Sequence, residues 1–326
     1  MKTQNLIKRN LTLFVLLLFS SISFSQTIFA DEKAIYDGVK RLEVKGSFCD
    51  VEIIGGEINE VQLEGIIKGS YKKRKEFTIH HKLNGGTLNV WIDSPNNYWG
   101  NIQGELKFIV PEDIEVEVKN SSGDLYCEGI VSDYTRLRAS SGDIDIKRLK
   151  GELEVTTSSG EISIKEIVGN LTVQSSSGDQ EIKSVVGNIN TEATSGDLEF
   201  KEIKGDISSR TSSGDLEIDQ LEGRLKNVST SGNLEISNSN TVLHLTASSG
   251  DIEGQNLVLV GESFFNTTSG NVSLDLKNDF EQLSFDLSAS SGNLTVENRR
   301  ADDKLYVKKG EIWIHGKSSS GNQSYR

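Results

Sequence analysis

The chain has 326 residues, of which 35% are hydrophobic, and it contains 31 glycines, two prolines and two cysteines. This composition excludes collagen-like, proline-rich and disulfide-stapled classes, while the length is sufficient for a buried core. With 48 acidic residues against 35 basic ones, the formal net charge is −13. Such an acidic balance disfavours nucleic acid as a partner.

The first 25 residues have the pattern of a secretory signal peptide. Basic residues up to Arg9 precede an apolar run from Leu11 to Phe19, and small polar residues follow up to Ser25. The run is too short to cross a bilayer, and no later apolar stretch approaches about 18 residues. We therefore predict cleavage after Ser25, with Ala30 as the alternative, and a mature chain without a transmembrane segment. The predicted location is the periplasm, the cell envelope or the extracellular space.

A Ser-Gly-Asp motif recurs from residue 121 onwards at a nearly constant interval. Its glycines are separated by 19 residues, then six times by 18, and then by 20, 22 and 18. The apolar residues keep phase with the glycines, which amino-acid bias alone does not produce. Each unit therefore predicts one turn of a repeating structure, with turn glycines at Gly123, Gly142, Gly160, Gly178, Gly196, Gly214, Gly232 and Gly250, followed by Gly270, Gly292 and Gly310.

Each unit contains two short alternating runs and no helical spacing. In the unit that begins at Gly160, Ile162 and Ile164 share one face of the first run, and Leu171 and Val173 share one face of the second. One unit alone cannot bury enough apolar surface to offset its ordering entropy, so its neighbours must complete the burial. The sequence predicts an all-β fold, a right-handed parallel β-solenoid or β-helix of about 18 residues per coil. Its inward positions do not follow a six-residue spacing, which disfavours a left-handed hexapeptide helix.

Residues 26–120 alternate in hydrophobicity but lack the strict repeat. Asn84-Gly85-Gly86 between two alternating runs is a hairpin signal, which predicts an antiparallel or mixed β cap. The cap would precede a solenoid formed by residues 121–326, whose C-terminal end is degenerate. The segment Phe48-Cys49-Asp50-Val51-Glu52-Ile53 fits the repeat with cysteine at the glycine position, and we interpret it as one degenerate coil.

Taken together, residues 40–315 resemble a family of exported bacterial proteins with a β-strand-repeat domain of unknown function, commonly labelled "putative adhesins". The resemblance depends on the signal peptide, the alternating N-terminal section, the stretch Phe108-Ile109-Val110-Pro111-Glu112-Asp113-Ile114-Glu115-Val116, and units such as Ser213-Gly214-Asp215-Leu216-Glu217-Ile218. It implies a β-helical, non-enzymatic envelope or surface protein. It carries no catalytic residues to transfer.

An acidic residue usually follows the turn glycine, and stacked units would align these residues into a column: Asp124, Asp143, Glu161, Asp179, Asp197, Asp215 and Asp251. Like charges about 5 Å apart repel, and an oxygen-rich column could hold Ca²⁺ as in nonapeptide β-rolls. Those rolls need more glycines than this repeat supplies. A turn or cap hydrogen bond, with screening by nearby lysines, is therefore favoured over a divalent-cation-binding module.

Polysaccharide lyases and hydrolases also use β-helices, but acids that recur in every coil are better explained by folding than by an active site. We predict no enzymatic activity, no cofactor, and no catalytic, cofactor-binding or metal-ligating residue; a polysaccharide-active enzyme is the unfavoured alternative. Tyr98 and Trp99 are weak ligand candidates because an aromatic face amid Asn and Asp suits sugar stacking, although packing over the end of the solenoid is favoured. The basic run of residues 72–75 is interpreted as solvated rather than bound to lipid headgroups or anionic glycans.

The two cysteines occupy different phases of the repeat, Cys49 at a turn and Cys127 at an inward strand position. We predict that they do not pair, that Cys127 is buried, and that Cys49 is at the surface. The predicted function is that of an adhesin or of a cell-envelope binding or scaffold protein. Its predicted partner is a glycan or a surface protein.

Overall fold

The computed structural model describes residues 27–70, 77–95 and 101–326. The predicted signal peptide, the basic run of residues 72–75, and the candidates Tyr98 and Trp99 lie outside these residues. The described part contains 29 β-strands and one 3-10 turn, with no α-helix. Within these ranges, no helix has the length and hydropathy that a membrane span requires.

The strands in chain order are β1 (Thr27–Asp37), β2 (Arg41–Ser47), β3 (Asp50–Gly56), β4 (Glu60–Gly69), β5 (Thr78–Asn84), β6 (Thr87–Asp93), β7 (Ile102–Pro111), β8 (Glu115–Asn120), β9 (Leu125–Glu128), β10 (Val131–Ser141), β11 (Ile144–Ser159), β12 (Ile162–Val168), β13 (Leu171–Ser175), β14 (Gln180–Val186), β15 (Ile189–Ala193), β16 (Leu198–Lys204), β17 (Ile207–Thr211), β18 (Leu216–Ser229), β19 (Leu234–Ser237), β20 (Asn240–Ser249), β21 (Ile252–Leu259), β22 (Ser263–Ser269), β23 (Val272–Leu276), β24 (Leu283–Ser291), β25 (Leu294–Val296), β26 (Arg299–Ala301), β27 (Lys304–Val307), β28 (Ile312–Ser320) and β29 (Gln323–Tyr325). The 3-10 turn is Phe280–Gln282.

Successive repeat units stack as parallel coils in register. Ile162 of β12 pairs with Ile144 in the preceding coil, and Leu171 of β13 pairs with Leu153. These side chains point inward and are almost fully buried. The prediction of an all-β fold built from stacked units is therefore confirmed.

The turn positions require glycine because the backbones of successive coils approach closely there. The eight predicted turn glycines from Gly123 to Gly250 all have a positive φ, as do Gly270 and Gly292. At Gly214, φ is +121°, and a Cβ atom would lie 2.1 Å from the carbonyl oxygen of Gly196 in the preceding coil. Both the backbone conformation and the contact exclude a side chain here.

A second corner of the coil uses residues other than glycine in the left-handed region. Their φ values lie between 50° and 61°, and they recur at the interval of the repeat: Arg148, Glu166, Ser184, Glu202, Gln220, Asn238 and Asn256. This conformation costs a non-glycine residue about 1–2 kcal/mol. The turn allows the apolar side chains on either side of it to face the interior, as Ile164 and Ile167 do around Glu166.

The C-terminal end departs from the chain order of the repeat. β28 lies between β22 and β24, and β29 lies between β23 and β25. The last coil of the chain is therefore inserted between two earlier coils. As a result Gly321, with φ of +136°, stacks on Gly270. The prediction that Gly310 continues the turn series is wrong, because Gly310 packs against the backbone of Gln282 instead.

The N-terminal end has a matching insertion. β2 lies between β6 and β8, and β3 lies between β7 and β9, all in parallel. Val51 pairs with Leu125 and Ile53 with Cys127, so the degenerate coil at residues 48–53 is confirmed. Antiparallel strands close this end: β5 pairs with β6 around Gly85 and Gly86, β4 with β7, and β1 with β4.

The interior is mainly apolar, and hydrogen bonds accommodate several of the polar side chains buried in it. Gln180 occupies an inward position next to Ile162 and is 1% exposed. Its amide nitrogen donates to Ser175 Oγ, and its amide oxygen accepts from Thr191 Oγ1, both at 2.8 Å. These partners compensate for the loss of water around the buried amide.

Candidate binding surface

The acids at the turn form a hydrogen-bonded ladder between coils. Where a coil carries Asp or Asn at this position, its side-chain Oδ1 accepts a hydrogen bond from the backbone N–H of the equivalent residue in the next coil. Asp215 N donates to Asp197 Oδ1 at 2.8 Å, and Asn233 N donates to Asp215 Oδ1 at 2.7 Å. The ladder satisfies backbone groups that the turn would otherwise leave unpaired.

The ladder continues through amides where the sequence replaces aspartate. Asp251 N donates to Asn233 Oδ1 at 3.0 Å, and Asn271 N donates to Asp251 Oδ1 at 2.7 Å. Asp and Asn are therefore interchangeable at this corner as hydrogen-bond acceptors. The predicted hydrogen bond of these acids joins two coils instead of closing a local turn.

A second ladder lies at another corner, and the sequence reasoning missed it. Asp206 N donates to Asn188 Oδ1 at 3.0 Å, and Arg224 N donates to Asp206 Oδ1 at 2.9 Å. The signal was present in Asn170, Asn188 and Asp206, which follow the second glycine of three successive units. It was hidden because this column carries less charge than the first.

Glutamates and lysines occupy neighbouring rows on the outer face. Lys165 Nζ lies 2.7 Å from Glu181 Oε2, and Lys204 Nζ lies 3.5 Å from Glu222 Oε2. Such exposed pairs contribute little individually, but they offset the charge of the acidic rows. Among the described residues, no group of three or more His, Cys, Asp or Glu side chains is arranged to hold a metal ion.

One carboxylate, that of Glu154 on strand β11, accepts several hydrogen bonds from side chains of the neighbouring strand β10. Glu154 accepts hydrogen bonds from Tyr134 Oη at 2.6 Å, from Arg136 at 2.8 Å and from Arg138 at 2.8 Å. These hydrogen bonds, that of Tyr134 first, lower the pKa of Glu154 to about 2. These contacts join strands β10 and β11 on the outer face of the sheet.

An aromatic strip crosses the outer face at the C-terminal end. We define it as His244, Phe264, His315, Trp313 and Tyr306. The Phe264 and His315 rings stack at 4.8 Å, the Trp313 and His315 rings at 5.8 Å, and Tyr306 lies 5.8 Å from Trp313.

Exposed polar groups border the aromatic strip. Tyr306 is 62% exposed. His315 Nε2 lies 3.0 Å from Glu262 Oε1. Contiguous aromatic surface with a polar rim is typical of an interaction site. The sequence reasoning missed the strip because its members come from four strands that the inserted coil brings together.

Both cysteines are buried and unpaired. Burial raises the pKa of each thiol to about 12, so neither is reactive at neutral pH. The prediction of a buried Cys127 is confirmed. The prediction of a surface thiol at Cys49 is wrong, because strand β7 of the neighbouring coil covers it: a Cβ on Gly104 would lie 2.2 Å from Cys49 Sγ.

The stacked coils, the ladders at their corners and the outward rows define a β-solenoid-like repeat protein. A family model, Toastrack DUF4097, matches residues 39–220 and again residues 165–325. The chain therefore belongs to the Toastrack DUF4097 family. This confirms the resemblance to a β-strand-repeat domain of unknown function.

Two solved structures are similar to this chain over most of its length. A "putative cell adhesion protein" from Clostridium sporogenes is 12% identical, with 91% of this chain and 100% of that one covered and a TM-score of 0.23. A "putative adhesin" from Parabacteroides merdae is also 12% identical, with coverages of 90% and 95% and a TM-score of 0.23. A search of the curated proteins found no match.

Proposed function

We propose that the protein is an exported, non-enzymatic adhesin or cell-envelope binding protein that recognises a surface glycan or a surface protein. The aromatic strip is the observation that carries this proposal. It places Trp313 and the exposed ring of Tyr306 on an outer face that also carries Glu262 and Asp286. Rings of this kind offer a large contact area at low entropic cost, which suits binding at an exposed surface.

The stacked coils support this role because they hold the strip on a rigid base. Beneath it, Phe265, Phe285 and Tyr325 are almost fully buried and pack against one another. Side chains on such a sheet start from an ordered backbone, which lowers the ordering cost of binding. We also propose right-handed winding, because parallel β-crossovers are right-handed in nearly all cases; a crystal structure decides this point.

Export is part of the same proposal, and the first strand favours one of the two cleavage sites. Strand β1 begins at Thr27, and its pairs with β4 include Thr27 with Gly69 and Ala30 with Ile67. Cleavage after Ser25 keeps the whole strand, whereas cleavage after Ala30 would remove its first pairs. N-terminal sequencing of the protein recovered from cells should therefore find Gln26 as the first residue.

The test combines localisation with binding. Cell fractionation and surface proteolysis should find the protein outside the cytoplasm, and the chain from Gln26 onwards should bind at least one member of a glycan and surface-protein screen. Trp313→Ala and Tyr306→Ala should each weaken that binding at least tenfold, whereas Tyr126→Ala, which removes an outward aromatic ring elsewhere, should not. A cytoplasmic location, or binding unaffected by both strip variants, would overturn the proposal.

A polysaccharide-cleaving activity is the competing function, and it is tested on the same preparation. Product assays on anionic and neutral polysaccharides should show no new reducing ends or unsaturated products. Release of either product, lost on substitution of a single carboxylate, would replace the binding proposal with an enzymatic one.

A further inference from the structure

We propose that a basic groove at the N-terminal end of the solenoid binds an oligosaccharide that carries carboxylate or sulfate groups. The groove has a volume of about 640 Å³ and is lined by Lys45, Lys82, Lys119 and Trp91, together with amide and hydroxyl side chains, and no carboxylate lines it. This inference rests on the proposed binding function. It adds a second site on the same protein and names the class of ligand for that site.

The three lysines are brought together by the inserted coil. Lys45 of β2 stands directly opposite Lys119 of β8 on one side and opposite Trp91 of β6 on the other. Lys82 lies on β5, the antiparallel partner of β6. The groove therefore crosses four adjacent strands, a width of about 14 Å.

The neighbouring acids are already engaged by another cation. Arg41 donates to Glu43 and Glu117, which occupy the row next to Lys45 and Lys119, and to Glu115 opposite itself. Among the described residues, Lys119 contacts Glu117 at 3.0 Å, and no carboxylate lies within ion-pair distance of Lys45 or Lys82.

Two lysines directly opposite each other on paired strands repel. Lysines also stand opposite one another along the column Lys147, Lys165, Lys183 and Lys201, but there each has an acidic partner, as Lys165 has Glu181. Among the described residues Lys119 has Glu117 as a partner and Lys45 has none, so an anion bound between the two lysines would offset the remaining repulsion. The site is also a local exception in a chain whose formal net charge is −13.

The remaining lining favours a sugar over other polyanions. The Trp91 indole, stacked on His80 at 5.1 Å, offers apolar surface, while Asn84, Asn89 and Ser121 offer hydrogen-bond donors and acceptors. A sugar ring presents both an apolar face and hydroxyl groups, so it uses both kinds of surface. A nucleic acid would in addition meet the acidic rows along the rest of the solenoid.

Calorimetric titration of the chain from Gln26 onwards tests the groove, with a carboxylated probe (oligogalacturonate), a sulfated probe (a heparin oligosaccharide), a neutral dextran oligosaccharide and a single-stranded DNA oligonucleotide. We expect one of the two anionic sugars to bind, more weakly as salt rises, and to bind at least tenfold more tightly than dextran or DNA. The variant Lys45→Gln/Lys82→Gln should lose at least tenfold in affinity, and Trp91→Ala should do likewise.

A matched control separates site from net charge. Lys226→Gln/Lys317→Gln removes two exposed lysines from the same face at other coils and should retain wild-type affinity. Three results would overturn the groove proposal: equal affinity for DNA and sugar, equal losses of affinity in the two double variants, or no binding of either anionic sugar. If the groove proposal fails in this way while the aromatic-strip variants still weaken binding in the screen at least tenfold, the proposed function stands without the groove.

Discussion

At the scale of single residues, Gly196 tests why the turn column excludes side chains. Its φ is +113°, and a Cβ would lie 2.3 Å from the carbonyl oxygen of Gly178. Gly196→Ala should therefore lower the free energy of unfolding by more than about 2 kcal/mol, because conformational strain and a backbone clash add. Urea denaturation of the purified chain measures this change.

Two other glycines separate those causes. Gly38 has φ of +68° with open space around its missing Cβ, so Gly38→Ala should cost about 1 kcal/mol through strain alone. Gly56 has neither feature, and Gly56→Ala should stay within about 0.5 kcal/mol of the wild type. Equal losses at Gly196 and Gly38 would show that the close approach between coils does not limit this position.

Glu154 gives the fold a defined dependence on pH. Its hydrogen bonds to Tyr134, Arg138 and Arg136 lower its pKa to about 2 in the folded chain, whereas an unfolded glutamate has a pKa of about 4.3. The stabilisation from the ionised side chain is thus present in full above about pH 4.3 and is lost as the pH falls towards 2.

Glu154→Gln should lower the melting temperature at pH 7 and should flatten its decline between about pH 5 and 2. The exposed Glu152, two residues away, provides the control: Glu152→Gln makes the same charge change and should leave the acid limb as steep as in the wild type. A Glu154→Gln profile parallel to that of the wild type would contradict the assignment.

At the scale of the elements, the acid ladder is a device that joins coils. Asp215→Asn keeps an Oδ1 acceptor for the N–H of Asn233, so it should unfold within about 0.5 kcal/mol of the wild type. Asp215→Ala removes the acceptor and should cost about 1 kcal/mol. Chemical denaturation measures both changes in the free energy of unfolding, with and without about 5 mM Ca²⁺, a concentration above the dissociation constants of weak extracellular calcium sites. A Ca²⁺-dependent increase in wild-type stability that Asp215→Asn abolishes would instead support the cation-binding alternative.

The inserted strand β29 should contribute strongly to the C-terminal end. Tyr325 is fully buried against Phe265 and Phe285. Tyr325→Ala should therefore destabilise the fold by about 3–5 kcal/mol, with early exchange of amide hydrogens in β22 to β25. Tyr306→Ala removes an equal side chain from an exposed position and should have little effect; similar losses in the two variants would contradict the placement of β29.

The repeat could be predicted from sequence because each of its residues reports on a neighbour at a fixed separation. Ile144, Ile162 and Leu171 lie in the predicted inward columns for that reason. The two insertions could not be predicted, since Trp91 meets Lys45, and Gly321 meets Gly270, without any shared periodicity. The same limit hid the aromatic strip and the basic groove, which both depend on the insertions.

At the scale of the molecule, the coils form a rod on the order of 60 Å long in which each level contacts only its neighbours. This arrangement makes one whole coil removable. Deletion of residues 197–214 joins Gly196 to Asp215 and keeps every inward column in phase. Asn227, which loses Ser209 as its hydrogen-bond acceptor, would then face the hydroxyl group of Thr191.

The eighteen-residue deletion should give a folded chain that unfolds cooperatively and has a circular dichroism spectrum of the same shape as the wild type. Its melting temperature should be lower, because one set of inter-coil contacts is lost. Deletion of residues 197–205, half a coil, is the control. It would put strand β17 in the place of β16 and bring a turn beneath an inward column, so this variant should not fold. Equal behaviour of the two deletions would mean that the stability of the rod does not depend on coils in register, and the placement of both binding surfaces on it would lose its physical basis.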